Sequence, residues 1–178
     1  KYLDRIAVGG IVTTSWYMME QVAGSEQSRK IDLPKDPAEL LATLEHAVRD
    51  GKRLREANLE GAKLHGIQLR KADLECAILT KADLSDANLR GADLEDAELG
   101  HAILAGANLK HADLSGANLQ GSDLRGANLQ KANLEGADLS ECDLTGATLA
   151  GANLDGAILV RAKFLKADLA EANLSRTD

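Results

Sequence analysis

Residues 87–96 read Ala-Asn-Leu-Arg-Gly-Ala-Asp-Leu-Glu-Asp, which is two copies of one five-residue unit. The unit continues without insertion or deletion from residue 52 to residue 176, which makes 25 copies. Its centre is Leu in every copy except one, which has Phe164, and the residue two positions earlier is Ala in 21 of the 25 copies. Because a fixed internal period decides the architecture of a chain, the repeat is interpreted before any other signal.

A period of five fits neither an α-helix nor a flat β-strand. In a helix, successive leucines would be rotated by roughly 140° and would spiral around the axis. In a strand, an odd period would send alternate leucines to opposite faces. The chain must therefore turn through about a right angle at every unit, so that four units close a square coil and stacked coils pair their backbones.

Units such as Ala87–Gly91 and Ala127–Lys131 resemble the pentapeptide repeat family, whose fold is a right-handed quadrilateral β-helix. The resemblance implies that the Leu and the small residue two positions before it point inward, and that the other three positions face solvent. The predicted fold is thus an all-β solenoid of about six coils with an N-terminal helical cap, roughly 30 Å long at the usual strand spacing.

The remaining positions of the unit suit tight corners. Asp or Asn before the Leu is expected to bond to nearby backbone groups. Gly is frequent at the last position, where a turn favours positive φ. No Pro follows Pro37, as a continuous ladder of backbone donors requires.

Residues 36–51 are predicted to form a helix that caps the first coil. Asp36 is a good N-cap, Pro37 suits the first helical position, and Gly51 is a natural stop. Apolar residues follow at helical spacing, namely Leu40, Leu41, Leu44, Ala47 and Val48. The predicted domains are therefore residues 1–35, an apolar segment and linker; residues 36–51, the cap; and residues 52–176, the β-helix.

Residues 6–19 are apolar but too short to span a bilayer, which takes about 20 residues. Three alternatives stay open: the tail of a membrane helix, an interfacial anchor, or a helix or hairpin packed on protein. The candidate anchor residues are Trp16, Tyr17, Met18 and Met19, so that membrane association would run through residues 1–22. Residues 23–35, which are polar and contain Pro34, are predicted to be a linker.

The chain offers little chemistry. Its formal net charge of −7 argues against direct nucleic-acid binding. His101 and His111 lie two units apart and would face opposite sides, and no Ser-His-Asp or Cys-His set is expected on one face. Cys76 is predicted to be outward and Cys142 inward, without a disulfide. We expect no enzyme activity, no catalytic residues, no metal and no cofactor, and a cytoplasmic location in a prokaryote.

A 20-residue coil sorts the surface charges into columns. One column, here called the acidic column, contains Asp73, Glu75, Asp93, Glu95, Asp96, Asp113, Glu135 and Asp155. The preceding column, here called the basic column, contains Arg70, Lys71, Arg90, Lys110 and Lys131. Such columns either keep a rod soluble or form an electrostatic surface that recognises a protein partner.

The leading hypothesis is a non-catalytic scaffold that docks a protein partner through these columns. The family resemblance implies a second hypothesis, because some members mimic duplex DNA and bind DNA gyrase, which protects it from quinolones. Those members usually dimerise through a C-terminal helix, and several carry loops that the units of this chain lack. A third hypothesis is a membrane-tethered or large-complex subunit attached through residues 1–22. An end-to-end homodimer through the C-terminal coil is also predicted, since an open ladder edge recruits strands.

Overall fold

The computed structural model describes residues 16–22, 25–31, 36–51 and 53–178. Strand β1 spans Trp16–Val22 and pairs antiparallel with strand β2, Ser25–Ile31, with Trp16 opposite Ile31. Of the apolar segment, residues 16–19 thus lie in a strand of a hairpin, and residues 6–15 lie outside the described part. The linker predicted over residues 23–35 is wrong for residues 25–31, because these polar residues find backbone partners in β1. No helix in the described part is long and apolar enough to cross a membrane.

Helix α1 spans Pro37–Arg49, where the sequence predicts a helix over residues 36–51. The Asp36 carboxylate accepts hydrogen bonds from the backbone N–H groups of Ala38 and Glu39, at 3.0 and 3.1 Å. These bonds satisfy two of the donors that a helix start leaves open. Gly51, with φ +72°, follows the helix in the left-handed conformation typical of helix ends.

From residue 53 onward the chain forms stacked coils of 20 residues. Parallel bridges join the residue before each central Leu to its counterpart 20 residues later, from Asn58↔Ile78 to Asn153↔Asn173. The N–H group of each central Leu from Leu54 to Leu159 also donates to a carbonyl in the next coil, as from Leu104 to Asp123 at 2.7 Å. We call the residues that one coil contributes to one face a rung, and name the rung by its central residue.

The corners use one turn throughout. The N–H group of the next inward residue donates to the preceding central carbonyl, as from Ala107 to Leu104 at 3.0 Å. All 25 unit ends have positive φ, between +55° and +71°, which is typical of the third residue of a type II turn. The positive φ expected at the glycine unit ends is confirmed. It is also present at the 14 unit ends that are not glycine.

The interior is a ladder of Leu and Ala. Every central Leu from Leu54 to Leu154 is buried, and so are the small inward residues between them. The predicted contacts of Asp and Asn are also confirmed: nearly all of them accept a hydrogen bond from the N–H group two residues later, as Asp113 Oδ1 does from Ser115 at 3.0 Å, and Asp73 is an exception. Small side chains let the faces approach, while one Leu per face fills the remaining space.

Helix α1 covers the first coil. Its residues Leu40, Leu44 and Ala47 belong to the same buried cluster as the first central leucines. The Glu45 carboxylate accepts a hydrogen bond from the N–H group of Gln68 at 2.8 Å. Deeper in the rod, the corresponding N–H group of Asn88 donates to the carbonyl of Ile67, one coil earlier. Glu45 therefore replaces a carbonyl that a preceding coil would provide.

The last described coil is less covered than the others. Its inward residues Leu159, Phe164 and Leu169 are half-buried, and Leu174 is 42% exposed. Outward apolar residues are added here, with Val160 44% exposed and Leu165 67% exposed. The exposure predicted for Phe164, Leu169 and Leu174 is thus present, and the outward Leu165 adds to it.

Candidate interaction surface

The acidic column is a single ladder of side chains. Bridges join Asp73 to Asp93 and Asp93 to Asp113, so these three carboxylates stack on successive rungs. Below them the stack continues with amides: Asn133 donates to Asp113 at 3.0 Å, and Asn153 donates to Asn133 at 3.1 Å. The side chains that follow each central Leu, Glu75, Glu95, Glu135 and Asp155, run beside this stack. The structure therefore brings the predicted residues of the acidic column onto one face.

Arginines pair with both ends of the acidic column. Arg55 Nε lies 2.8 Å from Asp73 Oδ2, and its guanidinium also contacts Glu75, while Arg53 Nε lies 3.4 Å from the same Asp73 oxygen. At the other end, Arg176 Nε lies 2.7 Å from Asp155 Oδ1. The Arg176 hydrogen bond holds the pKa of Asp155 below its usual value. Charge at the two ends is thus largely neutralised within the chain.

Among the described residues, the middle of the acidic column has no such partner. Within residues 36–51 and 53–178, no cationic nitrogen lies within 4.0 Å of the carboxylates of Asp93, Glu95, Asp96 or Asp113. Glu95 and Asp96 are exposed. Desolvation raises the pKa of Glu95, and the carboxylates around it, beginning with Glu75 and Asp113, raise it further. Negative charge therefore accumulates around the Leu94 rung.

The basic column lies on the adjacent face. Arg70, Lys71, Arg90 and Lys131 are exposed, and none forms an ion pair with the described residues. Lys110 is half-buried and donates to the Gln130 side chain at 2.5 Å. Although the two columns flank the same corner, they do not neutralise each other through direct pairs.

Sequence reasoning missed Arg53, Arg55 and Arg176. The signal was available, because Arg53 and Arg55 stand 20 residues before Asp73 and Glu75 and so occupy the same column one rung earlier. Sorting all charges by the 20-residue period, rather than the carboxylates alone, would have placed the first two on the acidic column.

Three neighbouring carboxylates have the spacing of a metal site. Asp73, Glu75 and Asp93 each offer an oxygen, and these oxygens lie within 4.8 Å of one another. Asp73 Oδ1 is buried and has no hydrogen-bond partner in the described part. However, the cation that contacts Asp73 and Glu75 in this structure is the Arg55 guanidinium, whose positive charge opposes a metal ion there. We treat the group as part of the acidic column.

The expectation that no Ser-His-Asp set shares one face is wrong. His65 Nδ1 lies 2.9 Å from Ser85 Oγ, and Ser85 Oγ donates to Asp83 Oδ1 at 2.5 Å. The set arises because His65 lies one rung before Ser85, a relation across coils that a search within single units overlooks. These contacts are not those of a hydrolase triad, in which the carboxylate orients the histidine and the histidine contacts the serine. Here Ser85 contacts both His65 and Asp83.

The two cysteines and the two singled-out histidines lie where the sequence predicts. Cys76 is exposed, Cys142 is buried, and both are free. His101 and His111 are exposed and belong to different ladders, since their backbone N–H groups donate to the backbone carbonyls of Gln120 and Gln130, respectively. The candidate anchor residues Trp16, Tyr17, Met18 and Met19 lie in β1.

The family model for pentapeptide repeats matches eight copies, which together extend over residues 42–176. The chain belongs to the pentapeptide repeat family. This pentapeptide repeat protein is similar to one from the thylakoid lumen of Arabidopsis thaliana, with 36% identity and a TM-score of 0.52. That match covers 53% of this chain and 66% of the other, which is just under two thirds of its length.

Two further solved structures are similar to this pentapeptide repeat protein. HetL, which is involved in heterocyst differentiation regulation in the cyanobacterium Nostoc, has 38% identity over 70% of each chain and a TM-score of 0.40. QnrB1, a plasmid-mediated fluoroquinolone resistance protein, has 18% identity over 70% of each chain and a TM-score of 0.39. No curated protein matches the chain at a significant level.

Proposed function

We propose that this pentapeptide repeat protein is a non-catalytic scaffold, a right-handed rod of about six coils that docks a cationic protein partner on the acidic column. The observation that carries the proposal is the middle of that column, Asp93, Glu95, Asp96 and Asp113, which has no cationic partner among the described residues. Desolvation and then the neighbouring carboxylates raise the pKa of Glu95, so the folded chain holds its charged form at a cost in stability. A cationic partner would offset the part of that cost that comes from the neighbouring charges.

The intramolecular arginines support the same proposal. Arg55 and Arg176 show that carboxylates of this column bind guanidinium groups in side-by-side contacts. Charge-assisted contacts of this kind favour specificity and fast association over raw affinity. The basic column beside it supplies the opposite charge for acidic residues at the rim of the partner.

A paired substitution tests the docking function. In Asp93→Asn/Glu95→Gln, two unpaired carboxylates are neutralised while the amides keep the shape of the side chains. The control, Asp86→Asn/Glu141→Gln, makes the same change in net charge at exposed sites outside the acidic column. We expect co-purification of a partner from the source cells to fail with the first variant and to persist with the control. Equal recovery with both variants would remove the acidic column from the interface.

DNA gyrase is a second candidate partner, because the unpaired carboxylates form an extended acidic stripe that is compatible with mimicry of a nucleic-acid backbone. A supercoiling assay with purified gyrase, with and without quinolone, tests it directly. The Asp93→Asn/Glu95→Gln variant should lose any effect that depends on the stripe, and an assay without any effect would end this candidate.

Two attachments remain predictions from the sequence. Attachment to a membrane or a large complex would run through residues 1–22, and vesicle flotation of the full chain against a chain lacking those residues tests it. An end-to-end homodimer would bury Phe164, Leu169, Leu174 and Leu165, and Leu165→Asp should then weaken self-association in light scattering. A cytoplasmic location in a prokaryote is likewise a prediction.

A further inference from the structure

The spacing of the acidic column limits the shape of a partner segment that can follow it. Carboxylates without a cationic partner among the described residues lie on three successive rungs, those of Leu94, Leu114 and Leu134, which carry Glu95, Asp113 and Glu135. Asp113 precedes its central Leu, whereas Glu95 and Glu135 follow theirs. Successive rungs are separated by the usual distance between paired strands, about 4.8 Å, so the three span about 10 Å along the rod. A partner that contacts all three must present cations at this interval.

An α-helix laid along the rod meets that interval. Residues on one helix face at i, i+4 and i+7 span about 10.5 Å, because each residue rises 1.5 Å. In an extended strand, three residues on one side span about 13 Å, since same-side residues are two apart. The strand would therefore be out of step by most of a rung at its third contact, whereas long cationic side chains absorb the small mismatch of the helix.

The ends of the column indicate which cation fits. Arg55 bridges the two carboxylates of one rung, Asp73 and Glu75, with one guanidinium. Arg176 approaches Asp155 with two nitrogens, at 2.7 and 2.5 Å. The Leu94 rung repeats the pair as Asp93 and Glu95 but has no arginine among the described residues. A planar fork of donors fits such pairs better than an ammonium does.

We propose that the acidic column accepts an α-helix of its protein partner, laid along the rod over the Leu94, Leu114 and Leu134 rungs, with arginines at i, i+4 and i+7. This inference rests on the proposed docking function and adds the secondary structure and the residue spacing of the partner segment. Arg55 and Arg176 set the limits of the footprint, because the rungs beyond it already hold a cation.

Three peptides of equal length with the same number of arginines test the inference on the full chain. The first is a stapled helix with arginines at i, i+4 and i+7, and the second is a stapled helix with the same arginines distributed around the axis. The third keeps the spacing of the first, but has prolines that prevent a helix. Binding is measured by fluorescence anisotropy at low and at physiological ionic strength, with the chain, Asp93→Asn/Glu95→Gln, and the control Asp86→Asn/Glu141→Gln.

We expect the first peptide to bind about tenfold more tightly than the other two, since aligned contacts on three rungs each contribute a small gain. The advantage should disappear in Asp93→Asn/Glu95→Gln and persist in the control. Equal affinity for all three peptides, still lost in Asp93→Asn/Glu95→Gln, would overturn the helix and leave the docking function standing. No binding at low ionic strength, or binding that neither variant changes, would overturn both.

Discussion

Ser122 Oγ lies 3.3 Å from Cys142 Sγ, one coil later, where inward positions otherwise hold Ala almost throughout. The Cys142 thiol also donates to the Leu119 carbonyl at 2.9 Å. Two polar groups are thus buried in the ladder: the thiol donates to a backbone carbonyl, and its sulfur is the side-chain partner of the Ser122 hydroxyl. A buried hydroxyl that loses its partner costs more than the bond itself contributes.

Cys142→Ala should therefore destabilise the protein by about 1–3 kcal/mol, because the Ser122 hydroxyl is left without its thiol partner. Ser122→Ala/Cys142→Ala should recover most of that loss, since a pair of alanines restores the common form of the ladder. Chemical denaturation of the wild type, both single variants and the double variant measures the coupling. Additive losses would mean that the two side chains are independent.

The two cysteines should differ in their reaction with a thiol reagent. Burial raises the pKa of Cys142, and its side chain lies inside the ladder. Burial and the nearby Glu75, Asp96 and Glu56 also raise the pKa of Cys76, but that side chain is exposed. We expect slow labelling of Cys76 that accelerates as the pH rises, and labelling of Cys142 only after unfolding. Mass spectrometry of peptides identifies the site, and native labelling of Cys142 would contradict its placement.

Leu104→Ala should cost roughly 2–5 kcal/mol, because the side chain is fully buried and the hydrogen-bonded coils above and below prevent collapse into the cavity. Gln120→Ala is the control, since its side chain is exposed and the change should stay within about 0.5 kcal/mol. Thermal melts monitored by circular dichroism compare the two variants. Similar melting curves would contradict the inward position of Leu104.

Gly126→Ala should destabilise the chain by about 1 kcal/mol, although an added Cβ would meet nothing within 4 Å. The cause is conformational, since Gly126 has φ +66°. Gly100→Ala is a matched control, because Gly100 is not among the residues with positive φ and a Cβ there would lie 3.9 Å from the Gln120 carbonyl oxygen. Denaturant midpoints should separate the two, and equal midpoints would show that the corner tolerates any residue.

Glu95→Gln should raise the melting temperature at neutral pH. The folded chain raises the pKa of Glu95 above its unfolded value, so this group favours folding only where it is protonated. That contribution is present below the unfolded pKa and is lost as the pH rises through the folded pKa. The difference between the variant and the wild type should therefore vanish in acid, and should shrink with added salt at neutral pH. An unchanged difference across the pH range would rule out this electrostatic origin.

The periodic part of the fold could be predicted because each unit places the same residue types in the same positions. Leu and Ala point inward, and Asp and Asn accept hydrogen bonds from the backbone two residues later, as Asp93 Oδ1 does from the Glu95 N–H group at 3.2 Å. The exceptions concern relations between coils. His65 meets Ser85, and Arg55 meets Asp73, only because 20 residues separate equivalent positions. Strand β2 was missed, since its polar composition is typical of linkers.

The corners show why propensity alone was insufficient. Gly was expected where φ is positive, yet Lys131 and Glu141 adopt φ +57° and +62° at equivalent corners. The hydrogen bonds on both sides of each corner determine the backbone, and the residue there adapts.

The 20-residue coil makes the surface pattern depend on a count of residues. Removal of one unit, for example residues 117–121, would leave every later Leu facing inward, because the core repeats every five residues. Yet it would rotate all following faces by one side, so that Glu135 would occupy the place of Gln130, in line with Arg90 and Lys110. Asp155 would likewise leave the line of Glu95. In such a molecule the loss of one five-residue unit changes the surface that a partner contacts but preserves the buried ladder. Only a loss of a multiple of 20 residues preserves both the ladder and the columns of surface charge.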